Sequence, residues 1–181
     1  MPDHEPSEAP ATAFTRGPDE ARAALDALSL AEIEEVAGEL QRRIGVAVRL
    51  MGEQRADQID AEGRSARWRV AALAAGIELA AATLGAVAAS TETPSARVDR
   101  HPATIAGLMY AAPSLPALLG RLEQDRRLVT SLARSLESRL DEERATPWGF
   151  VALRHLLTEV TVAETARCAQ HLERELATAS A

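Results

Sequence analysis

Val70 to Ala89 reads VAALAAGIELAAATLGAVAA, and the interpretation of this stretch determines the fold class. Its length would suffice to cross a bilayer. However, Glu78 falls near its middle, where a charge costs several kcal/mol, and alanine rather than leucine dominates it. It therefore reads as the innermost helix of a soluble bundle, predicted over 65–89 and apolar round most of its circumference. Leu73, Ile77, Leu84 and Val87 form its large-residue stripe, while Ala71, Ala74, Ala75, Ala81, Ala82 and Gly85 let neighbouring helices approach closely.

Upstream, Ser29-Leu30-Ala31-Glu32 is a capping box, in which hydroxyl and carboxylate each satisfy an orphan backbone donor. It opens a first long helix of about 30–62, with Ile33, Ala37, Leu40, Ile44, Ala47 and Met51 recurring at threes and fours and Gly63 ending it. A short helix of about 18–27 precedes it. Downstream, a polar link over 90–100 leads to a short helix of about 102–112 opened by Pro102. A third long helix, about 114–143, carries Leu115, Leu118, Leu122, Val129, Leu132, Leu136 and Leu140. Thr146-Pro147 reads as an N-cap followed by proline in the first turn, starting a fourth long helix of about 147–177.

No segment alternates with a period of two, and no Asn-Gly or Asp-Gly turn occurs, so no sheet is expected. The predicted fold is all-α: an antiparallel four-helix bundle with coiled-coil-like packing, forming one domain over 18–181 behind a disordered acidic tail over 1–17. An up-down-up-down order would bring Trp68 and Trp148 together at one end.

With 181 residues, the chain can build one proper core, and at 3% aromatic content that core must be aliphatic. The net charge of −7 opposes binding to nucleic acid or to an anionic membrane surface. The first residues lack a basic segment followed by an apolar one, so a cytoplasmic protein is expected. One cysteine, Cys168, excludes an internal disulfide and a cysteine-rich zinc site.

The fourth helix holds the chemically interesting stripe. Phe150, Leu153, Leu157 and Val160 continue at the same spacing into Glu164, Cys168, His171 and Glu175, so an apolar face turns ionisable halfway along. Either the helix changes its buried face after Thr161 to Val162, Thr165, Ala169, Leu172 and Leu176, or the ionisable stripe stays inside. In the second case Glu78, Glu164, Cys168 and His171 are the candidate metal or small-ligand set, with a divalent cation as cofactor. Glu78 has a plainer explanation in an ion pair with Arg49, Arg126 or Arg127.

Carboxylate-bridged di-iron sites need Glu-x-x-His on two helices, which the chain lacks. No glycine-rich phosphate loop or nucleophile elbow is present either. The leading expectation is a non-enzymatic accessory or regulatory protein without a cofactor, acting as a homodimer or through a protein partner over 50–62 and 160–176. The alternative is a metal- or ligand-binding bundle, with the possibility of catalysis.

Overall fold

The computed structural model describes residues 18–178, so the tail expected over 1–17 lies outside the described residues. Among the described residues the chain is all-α apart from one small hairpin and an isolated bridge between Ile59 and Ser65. Its elements are α1 (Pro18–Asp26), α2 (Leu30–Ala56), α3 (Ala66–Ala88), α4 (Pro102–Ala111), α5 (Leu115–Ser135), β1 (Glu143–Thr146), β2 (Gly149–Ala152), α6 (Leu153–Thr158) and α7 (Thr165–Thr178). A π-helical segment, Glu159–Glu164, joins the last two helices.

The starts of the helices follow local chemistry. The Ser29 side chain accepts from the Glu32 N–H at 3.3 Å, and Glu32 accepts from the Ser29 N–H at 2.8 Å. Ser65 and Ser114 cap α3 and α5 by accepting from the N–H groups of Trp68 and Ala117, without a reciprocating carboxylate. Ile33, Ile44, Val48, Leu84, Leu118, Leu122, Leu156 and Leu172 are fully enclosed. Each contributes about 1.5–3 kcal/mol by leaving water. α3 is covered along most of its length, consistent with a core helix.

Three boundaries differ from expectation. α2 stops at Ala56, not 62, and Gly52 already leaves helical geometry at φ 73°. Beyond it Asp60 Oδ1 accepts from the N–H groups of Glu62 (2.8 Å) and Arg64 (3.0 Å), and Gly63 adopts φ 75°. An aspartate that captures its neighbours' donors favours a turn over a helix. α5 ends at Ser135, although Leu136 and Leu140 stay buried in the turns that follow.

The third difference is the hairpin at 143–152, where helix was expected from 147. Thr146 pairs with Gly149 across a turn made by Pro147 and Trp148. The Thr146 hydroxyl accepts from the Trp148 N–H at 3.1 Å and donates to the Gly149 carbonyl at 2.9 Å, while Gly149 takes φ 106°. The Thr-Pro pair does cap a turn, but of a hairpin. Phe150 therefore sits exposed on β2 rather than on a helix face.

Ion pairs and hydrogen bonds between helices fix their directions. Arg67 reaches Pro113, Arg121 reaches Glu78, and Arg139 reaches Val87, so α3 and α5 run parallel. Arg154 reaches Leu28, Arg43 reaches Glu173, and Arg55 reaches the Glu175 carbonyl, so α2 and α7 also run parallel to each other. α2 opposes α5 through Glu34–Arg134 at one end and Glu53–Leu115 at the other. The strictly alternating order is thus replaced by down-up-up-down, because α4 brings the chain back along α3 before α5 begins.

The two tryptophans are consequently apart. Trp68 lies at the start of α3 against Arg64, whereas Trp148 stacks on Arg97 in the hairpin region, which joins the far end of α3 through Thr93 and Arg139.

Candidate functional site

The π-helical segment resolves the question of the ionisable stripe. Val160, Thr161, Val162 and Ala163 are all buried, and the Thr165 hydroxyl donates to the Val160 carbonyl five residues back, at 3.3 Å. One extra residue in a turn rotates everything after it by about 100°. The core stripe therefore passes from Leu157 and Val160 to Thr165, Ala169 and Leu172, all buried. Glu164, His171 and Glu175 move to the flank. Cys168 stays buried, and burial pushes its thiol up to about 12.

The four sequence candidates do not meet around one point. Glu78 pairs with Arg121 at 2.7 Å, instead of Arg49, Arg126 or Arg127, and the same Arg121 holds Asp125 at 3.1 Å. Desolvation raises both carboxyls, and their mutual repulsion raises Glu78 further. Arg126 and Arg127 instead hold Glu123.

Glu164 faces the link before α4. Arg97 grips buried Asp99 through two nitrogens (2.9 and 2.7 Å) and stands 3.4 Å from Glu164. Gly76 makes this approach possible, since a Cβ there would lie 3.2 Å from Glu164 Oε2 and 3.7 Å from Asp99 Oδ2. Burial pushes the Glu164 carboxyl up against the opposing pull of Arg97, Arg167 and Arg100. This cluster ties the link and the hairpin to the middle of α3.

His171 belongs to a third group. Its Nε2 lies 3.2 Å from Glu175 Oε1 and 3.5 Å from Asp60 Oδ2, and the three ligand-type atoms all fall within 4.8 Å of one another. α7 supplies the imidazole and one carboxylate one turn apart, and the α2–α3 turn supplies the other. Arg69 bonds Asp60 and Glu62, and its Nε lies 3.9 Å from Glu175 without a hydrogen-bond partner. The Arg69 bond and the two backbone donors hold Asp60 well below the usual carboxylate range, and Arg69 lowers Glu62 as well. All three site residues are partly open to solvent.

Asp60 falls inside the helix expected over 30–62, where the apolar spacing gives it no role. The signal available was Asp60-Ala61-Glu62-Gly63, a turn signature that places Asp60 beside the end of the last helix.

No known protein family, characterised protein or solved structure matches this chain.

Proposed function

We propose that the chain is a non-enzymatic helical protein that acts by association, with a second copy of itself or with another protein, in an accessory or regulatory role in the cytoplasm. The observation supporting this reading is on α2. Val46 and Leu50, one turn apart, are 50% and 73% exposed, while the opposite face of the same helix buries Ala37, Leu40, Ile44, Ala47, Val48 and Met51. Exposed Arg42, Arg49 and Glu53 surround the pair, giving an apolar centre with a charged margin, the usual make-up of an interface. Ile59, also 73% exposed, stands at the corner that follows. Over 160–176 most apolar side chains are buried within the chain itself, so the exposed pair on α2 supports the reading better than that segment does.

Sedimentation of the wild-type chain and of Leu50→Glu tests the proposal. A mass that rises with concentration in the wild type but not in the variant supports self-association. A specific partner retained by the wild type and lost by the variant supports the other form. A strict monomer at high concentration, with no partner whose binding depends on Leu50, contradicts both.

A further inference from the structure

We propose that Asp60, His171 and Glu175 bind a divalent transition-metal cation of the zinc class, bridging the α2–α3 turn to α7. The inference does not depend on the association reading. Three features carry it.

The first is spacing. Zinc bonds nitrogen and oxygen at about 2.0–2.2 Å in tetrahedral sites, which puts neighbouring ligand atoms about 3.3 Å apart. His171 Nε2 stands 3.2 Å from Glu175 Oε1 and 3.5 Å from Asp60 Oδ2. Two of the three edges of a metal-binding face are therefore already set, and the third closes by a small movement of one carboxylate. A His–Glu pair one turn apart on a helix supplies two ligands from one rigid element, and the partly open surface leaves room for water as a fourth.

Second, Asp60 is pre-aimed. Its Oδ1 is committed to two backbone N–H groups, so Oδ2 is the oxygen held between Arg69 and His171. Outer contacts of this kind orient ligands in metal sites. Third, the charge is unbalanced. Asp60, Glu62 and Glu175 face the guanidinium of Arg69, with Arg55 hydrogen-bonded to the Glu175 carbonyl beside them. Three carboxylates against two guanidiniums leave the group net negative, which a divalent cation offsets. Arg69 must release Asp60 Oδ2 as the ion enters, while keeping Glu62 at 3.0 Å.

Zinc chloride titration of the full chain by calorimetry, with cobalt(II) absorption as a second readout, tests the proposal. The expected result is one saturable equivalent, reduced at least tenfold in His171→Ala and in the near-isosteric Glu175→Gln, and unchanged in His155→Ala. Cobalt(II) should give visible bands of a low-coordinate nitrogen–oxygen site in the wild type, a readout that requires no variant to fold. Absence of saturable uptake overturns the proposal. So does uptake that survives both substitutions, because the ion then binds elsewhere.

Discussion

The π-helical segment can be tested by deleting single residues. Removing Ala163 leaves Thr165 four residues after Val160, so an ordinary α-helix then keeps both halves of the last helix facing the core. The loss is one buried methyl, about 0.8 kcal/mol, offset in part by restored i to i+4 hydrogen bonds. ΔAla163 should therefore stay within about 1 kcal/mol of wild type. Removing exposed Gln170 also takes out one residue, but it rotates everything after it by about 100°. Leu172, fully enclosed, then leaves the core, and Glu173 loses Arg43. Loss of a buried leucine costs about 2–5 kcal/mol. Urea unfolding followed by circular dichroism, with slopes compared to confirm unchanged cooperativity, measures both. If ΔAla163 costs as much as ΔGln170, the π-helical segment is not what reconciles the two stripes.

Other perturbations probe separate links. Gln41 Oε1 is buried without a partner beside a void too narrow for water, so Gln41→Met should raise stability by about 1 kcal/mol in the same unfolding assay. Glu78 and Asp125 have raised folded values, so protonation favours the fold; their contribution is present at low pH and lost as pH rises through those values. Asp125→Asn should accordingly become more stable relative to wild type as pH climbs from about 4 to about 8, and a gap that is constant with pH would count against burial and mutual repulsion of these two carboxyls. Cys168, buried and with its thiol pushed up to about 12, should react with a thiol reagent such as Ellman's only at the rate at which α7 opens. Rapid labelling of the native chain would show that α7 is not packed as described.

Helix existence was legible in the sequence because caps and apolar spacing act locally. The Ser29–Glu32 box, Ser65, Pro102 and the stripe from Ile33 to Met51 need no knowledge of the rest of the chain. The hairpin was not legible, since Glu143-Arg144-Ala145-Thr146 shows no apolar alternation and Thr-Pro serves a turn as well as a helix start. The parallel run of α3 and α5 depends on where α4 lies, which is a tertiary fact.

Of the site, His171 and Glu175 were placed on the last helix from spacing alone. The shift of face after Thr161 was one of two open readings, and backbone geometry at 159–164 decides between them. Asp60 stayed hidden because its role comes from capturing neighbouring N–H groups, which turns an apparent helix-face acid into a loop ligand.

The down-up-up-down order also settles where attachments leave the molecule. α1 leans on α6 through Asp26, His155 and Thr158, whereas α7 finishes beside Asp60 and Arg55. Residues 18 and 178 thus emerge from opposite poles, separated by the run 153–178, roughly 35–40 Å. Reporter groups attached at residues 18 and 178 themselves would sit too far apart to collide, and a chain trimmed to 18–178 and circularly permuted would require a joining strand of about a dozen residues simply to cover the distance.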